Sequence, residues 1–184
     1  MKKIFCAVFV VMFPLFVHAK DKKMSVESTS WKDGQAITNA YVFNSFGCSG
    51  ENISPNIKWK NLPATTKSIA VTIYDPDAPT GSGWWHWIIY NISPKMSGLR
   101  EGEGTFGESK IANGASQNGT DFGSPGYGGP CPPAGDKPHH YTLTAHALDV
   151  EKLELPANAT GAMAGFYINQ HTIAKSSLTA LYGR

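Results

Sequence analysis

The sequence predicts a mainly β fold with one late helix. Three observations carry this reading. Strong segments such as "SIAVTIYD" and "HHYTLTAHALD" alternate with period two. A single stretch near the carboxyl terminus carries apolar residues at helical spacing. No regular strand–helix alternation appears, which argues against a doubly wound sheet.

The first nineteen residues read as an export leader. "MKK" is a positive start, "IFCAVFVVMFPLFV" an apolar run of fourteen, and "VHA" ending at Ala19 suits cleavage. The run is short for a membrane-spanning helix. Residues 20–184 then make one domain with enough chain for a sizeable core. The formal charge of +2 falls to about zero once Lys2 and Lys3 leave with the leader. No dense basic stripe suggests nucleic acid as a partner.

Along the remaining chain, "MSVESTSW" is a candidate first strand and "AITNAYVF" a second. "CSGENISPNIKWKNLP" is turn-rich, with Pro55 and Pro63 restricting the backbone. In "SIAVTIYD", Ile69, Val71 and Ile73 share one face; Ala70, Thr72 and Tyr74 share the other. In "WWHWIIYNI", alternation puts Trp84, His86, Ile88 and Tyr90 on one face and Trp85, Trp87 and Ile89 on the opposite one. Both faces are largely apolar, so this strand belongs in the interior. The glycine-rich stretch from Arg100 to Lys137 reads as a functional or cysteine-anchored loop, or a solvent-facing excursion. It has neither a dinucleotide-binding glycine pattern nor a P-loop, so no cofactor is implied. Asn158 or Thr160 caps the helix, whose stripe runs through Met163, Phe166, Tyr167, Gln170, Ala174 and Leu178.

The chemistry concentrates in "DPDAPTGSGWWHW". Asp75 and Asp77 either cap a turn or orient a donor at a ligand site. His86 is either a satisfied core histidine or a pocket group that one of those aspartates holds. His139 and His140 face opposite ways on an extended chain, so only one enters the pocket of His86. Tyr141 lies on the side of His139. Imidazole and phenol donors over an aromatic surface suit an anion such as phosphate, or a small polar headgroup. His171 reads as a packing or capping group. A Ser82–His86–Asp75 triad lacks a nucleophile-elbow pattern. A zinc set of His86, His139 and Asp75 lacks a specific spacing, so no metal is assigned. Cys48 and Cys131 are disulfide candidates in an exported chain, the alternative being two buried thiols. A bridge closing more than 80 residues stabilises by roughly 4–5 kcal/mol on the chain-entropy estimate.

"DPDAP", "WWHWIIYNI" and "YGGPCPPAGDKPHHYTLTAHALD", in that order, resemble the phosphatidylethanolamine-binding protein family. The chain is most similar to its bacterial Raf-kinase-inhibitor-like branch, from about Trp31 to the end. The resemblance implies an antiparallel β-sandwich with peripheral helices and a C-terminal helix. It implies a pocket for a small anion or phosphate-bearing headgroup; no enzyme is expected, with a hydrolase acting on a phosphate ester or peptide as a further alternative. The implied ligand-binding residues are Asp75, Asp77, His86, His139 and Tyr141, with Gly128, Gly129 and Pro130 as a backbone wall; Trp84 is expected to shape the pocket's aromatic side. It favours His139 over His140, joins Asp75 to His86, and puts Cys131 on the pocket side. A protein partner in the cell envelope is the alternative role, and some bacterial relatives suggest a homodimer. Export to the periplasm or beyond makes a cytosolic kinase a poor target.

Overall fold

A computed structural model describes residues 22–184, apart from Lys110, Ala112, Asn113 and Ala157. The leader reading therefore lies outside the described residues. Eight strands are present among them: β1 (Ser25–Glu27), β2 (Ile57–Lys60), β3 (Ser68–Asp75), β4 (Trp84–Ile92), β5 (Gly98–Leu99), β6 (Ser116–Gln117), β7 (His139–Leu148) and β8 (Thr172–Tyr182). The helix α1 spans Gly161–His171, and a short 3₁₀ turn spans Asn39–Tyr41. The strands form a three-stranded sheet, β1-β2-β5, and a five-stranded sheet, β6-β4-β3-β7-β8. All neighbouring strands in both sheets run antiparallel.

The main core lies between the sheets. Ile69, Val71 and Ile73 of β3 and Tyr141, Leu143 and Ala145 of β7 enter it, all fully buried. Burying each large aliphatic side chain contributes about 1.5–3 kcal/mol. A smaller cluster of Ala70, Ile88, Leu148, Leu153, Ala164 and Ile168 seals α1 against the outer face of the large sheet. The alternation expected for β3 and β7 is therefore observed.

Strand β4 departs from simple alternation. Ile73 pairs with Trp87 but Tyr74 pairs with Trp85, so His86 is an extra residue and the register slips by one. A bulge of this kind re-aims side chains. Trp87 and Ile89 join the inner core, whereas Ile88 joins the helix side and Trp85 packs there too. His86 and Trp87 thus share the inner side, and the expected grouping of His86 with Ile88 fails at the bulge.

Two further expectations change. "AITNAYVF" holds the 3₁₀ turn instead of a strand, and the turn-rich segment after it contains β2. The C-terminal helix is present, with the Thr160 hydroxyl accepting from Met163 N at 3.2 Å, but it stops at His171. Thr172 bonds its hydroxyl back to the Ile168 carbonyl, and the β-branched pair Thr172–Ile173 opens β8. Ten paired positions on β7 outweigh the helical spacing of Gln170, Ala174 and Leu178. Residues 33–37 then cover the far edge of β8 through Gly34, Gln35 and Ile37.

Candidate functional site

Three strand ends meet at one end of the large sheet. β3 delivers Asp75, β4 delivers Trp84 and His86, and β7 delivers His139 and Tyr141. Asp75 stands opposite Trp84 across β3–β4, and the β3–β7 register brings Tyr74 beside Thr142. The convergence follows from the antiparallel order and needs no special loop. Together these residues line a cavity of about 210 Å³.

Asp75 is buried, and its carboxylate is fully engaged. One oxygen accepts the backbone N–H groups of Asp77 (2.8 Å) and Ala78 (3.2 Å). The other accepts from His139 Nδ1 at 2.8 Å. This Asx-type turn is how "DPDAP" closes on itself. Asp75 therefore orients His139, not His86 as the resemblance implied. The other His139 nitrogen, Nε2, stands 3.5 Å from Asp136.

His86 is held from behind. Its Nδ1 bonds the Gly128 carbonyl at 2.7 Å, and its carbonyl accepts from Gly128 N at 2.9 Å. A carbonyl only accepts, so Nδ1 carries the hydrogen and the neutral ring keeps an acceptor lone pair on Nε2. Burial pushes the ring down to about 4, with the Gly128 bond and the Asp75 charge opposing the shift. Tyr141 packs edge-on to His86, centroids 5.1 Å apart, and lies nearly parallel to His139. Its hydroxyl is buried without a hydrogen-bond partner. Burial raises its pKa, and the nearby Asp75 carboxylate adds to this. Tyr141 thus keeps its proton and offers a donor at the cavity.

Aromatic rings form one wall. Phe122 lies 5.3 Å from His86 and 5.4 Å from Trp84, and stacks on Phe46 at 5.8 Å. Phe46 is 62% exposed, with φ +58°. Sequence reasoning missed both phenylalanines. The lone ring in "NGTDFGSPG" is the one signal that pointed to Phe122. Cys48 and Cys131 are joined in a disulfide, tying the Phe46 loop to the loop bearing Pro132 and Pro133. The Arg184 guanidinium spans the same two loops, donating to the carbonyls of Pro132 (2.7 Å) and Gly47 (2.8 Å).

Four expected ligand-binding residues lie outside the lining. Asp77 accepts from both Nδ1 (2.6 Å) and the backbone N–H (2.8 Å) of His140. Those bonds hold its carboxyl below the usual range. Gly128 is occupied by His86, and Gly129 N donates to Asn52 Oδ1 at 2.8 Å. The Pro130 carbonyl accepts from Phe43 N at 3.1 Å. The wall is glycine because space is lacking: a Cβ on Gly128 would stand 2.5 Å from the Phe122 ring, and one on Gly129 2.2 Å from the Tyr41 carbonyl. These residues brace the site and leave no free N–H row for an anion.

The triad reading finds no support in the geometry. Asp75 pairs with His139, His86 with Gly128, and Ser82 sits in an exposed turn. Among the described residues, no three His, Cys, Asp or Glu side chains stand together as metal ligands.

A mainly β sandwich with a small, partly aromatic cavity at a strand-end junction defines a small-molecule-binding protein. The chain belongs to the phosphatidylethanolamine-binding protein family, whose model matches residues 27–183. It is 45% identical to YbcL of Escherichia coli K-12 over 89% of this chain and 90% of that protein. It is also 45% identical to YbhB of the same organism, over 86% and 99%. The crystal structure of Escherichia coli YbcL superposes with a TM-score of 0.84, covering 89% of this chain and 99% of that one. A phosphatidylethanolamine-binding protein homolog from Chlamydia trachomatis superposes at 0.72 with 32% identity, covering 88% and 98%.

Proposed function

We propose that this is an exported binding protein for a small anionic or phosphate-bearing ligand, held in the Asp75–His86–His139–Tyr141 cavity. The observation that carries the reading is the Tyr141 hydroxyl, a buried donor with no partner. An unsatisfied buried group costs about 1–3 kcal/mol. A ligand oxygen relieves that cost and gains the hydrogen bond. His86 adds a second requirement. Its Nε2 is an acceptor, so the ligand brings a donor such as P–OH, or binding draws a proton onto the ring. Asp75 does not bar an anion, because His139 and two backbone N–H groups take up its carboxylate.

The apolar wall of Phe46, Phe122 and Trp84 suits a ligand whose charged group is attached to something less polar. The chain fits the bacterial Raf-kinase-inhibitor-like branch. With the leader removed, it works in the periplasm or outside the cell, away from cytosolic kinases. Titration calorimetry with inorganic phosphate and with phosphoethanolamine tests the reading. Saturable binding that weakens at least tenfold in His86→Gln supports it. Equal affinity in wild type and variant, both folded, removes it. A second reading, a protein-interaction module, draws on the exposed Phe46 ring at the mouth. Capture of an envelope partner that depends on Phe46 but not on His86 would favour it.

A further inference from the structure

The outer face of the large sheet carries a second feature, on the side away from that cavity. Beside the apolar cluster under α1, the sheet turns abruptly polar. The strand registers build successive rows there: Tyr74–Thr142–Thr179, then Thr72–Thr144–Ser177, then Ala70–His146–Lys175. A sheet face against a helix is normally apolar, since burying hydroxyls costs free energy unless they are paired. Here α1 stops short, and a groove of about 220 Å³ remains between it and the rows.

Thr72, Thr142, Thr144, His146, Asn169 and Lys175 line this groove. The Thr72 side chain is only 6% exposed and lines the groove, and its hydroxyl makes no hydrogen bond among the described residues. It stands beside Thr144, whose hydroxyl shares a bond with Ser177 at 2.8 Å in which either oxygen can donate. Thr142 and Thr179 form a similar pair at 3.3 Å. His146 Nδ1 meets the Thr172 hydroxyl at 3.2 Å, and that hydroxyl already donates to the Ile168 carbonyl. Nδ1 is therefore the donor, and Nε2 keeps an acceptor lone pair. Lys175 has no carboxylate partner among the described residues, and no carboxylate lines the groove. It is close enough to His146 to help keep that ring neutral, together with burial.

These features define what fits. Hydroxyls that can both donate and accept match other hydroxyls. The Asn169 amide adds one more donor and acceptor. One unpaired ammonium matches one negative charge, and a dianion would leave a charge unanswered. The volume holds a single sugar ring.

We propose that this groove is a second ligand site, taking an acidic monosaccharide with its carboxylate on Lys175 and its hydroxyls on Thr72, Thr142 and Thr144. The site is independent of the first cavity, because its residues point to the opposite side of the same strands.

The test is an amide-detected NMR titration of the folded protein with D-glucuronate, repeated with glucose and with acetate. Saturable shifts at Thr72, Thr144 and Lys175, with none at Asp75 or His86, support the proposal. Lys175→Met should weaken glucuronate roughly tenfold, the size of a charge-assisted hydrogen bond. Thr72→Val removes only an unpaired hydroxyl, so it folds, and it should weaken glucuronate several-fold. Neither change should alter phosphate-induced shifts at His86 and Tyr141. No shifts on this face, undiminished binding in Lys175→Met, or acetate binding as well as glucuronate would each overturn the assignment.

Discussion

Tyr141→Phe separates stability from binding, because the two effects have opposite signs. The substitution keeps the ring, so its packing against His86, His139 and Trp31 survives. It removes only a hydroxyl that is buried without a partner. Relief of that unsatisfied group is worth about 1–3 kcal/mol, less a small loss of contact. For a domain of this size each kcal/mol moves Tm by about 2–4 °C. The variant should therefore melt a few degrees higher than wild type. Its affinity for inorganic phosphate should fall, because a bond from this donor to a charged acceptor is worth about 1.5–3 kcal/mol. That corresponds to roughly ten- to a hundredfold. Thermal denaturation monitored by circular dichroism, with parallel calorimetry, reads both quantities. A lower Tm would mean the hydroxyl is satisfied in the free protein, and unchanged phosphate affinity would mean it does not meet the ligand. Either result refutes the reasoning.

Three other outcomes follow from the same geometry. Burial pushes His86 and His146 down to about 4, so the unfolded chain binds protons between pH 6.5 and 4 that the native state refuses. Stability should be flat above pH 6.5 and fall as pH drops through that window. Urea midpoints against pH check this, and a midpoint that rises on acidification would contradict it. Replacing Cys48 and Cys131 by serine releases a loop closed at a sequence separation of 83, costing about 4.5 kcal/mol on the chain-entropy estimate. Amide exchange should accelerate around Phe46, and unchanged protection there would show that Arg184 alone holds the mouth. Gly161→Ala would set a Cβ 2.4 Å from the Trp85 ring, so overpacking should cost about 1–3 kcal/mol in chemical denaturation; a neutral result would mean α1 shifts freely.

Much of this architecture was legible as period. β3 and β7 face the way their alternation says, and that parity is what puts His139 and Tyr141 on the cavity side and His140 outside it. The bulge at His86 was not legible, because alternation carries no sign of an inserted residue in a run that is apolar on both faces. The switch from helix to strand at Thr172 was hidden for a related reason. Residues 173–178 satisfy helical spacing locally, and only the pairing partner β7, distant in sequence, decides between the two. Asp75, His86 and the glycine wall were recognisable as a group through family resemblance, but their bonding was not. Asp75 went to His139 because β7 is its neighbour in the sheet, and His86 went to Gly128 because the glycine-rich loop folds in behind it. Phe46 and Phe122 carry no pattern of their own. They become visible only once the disulfide and the loop bring them to the mouth.

The central claim is that the unpaired Tyr141 hydroxyl and His86 Nε2 together receive a phosphate-like group. A crystal structure with phosphate soaked at mildly acidic pH tests it most directly. The account predicts an anion in the 210 Å³ cavity, with one oxygen within hydrogen-bond distance of the Tyr141 hydroxyl and another of His86 Nε2. An empty cavity under saturating phosphate, or an anion touching neither atom, would contradict it.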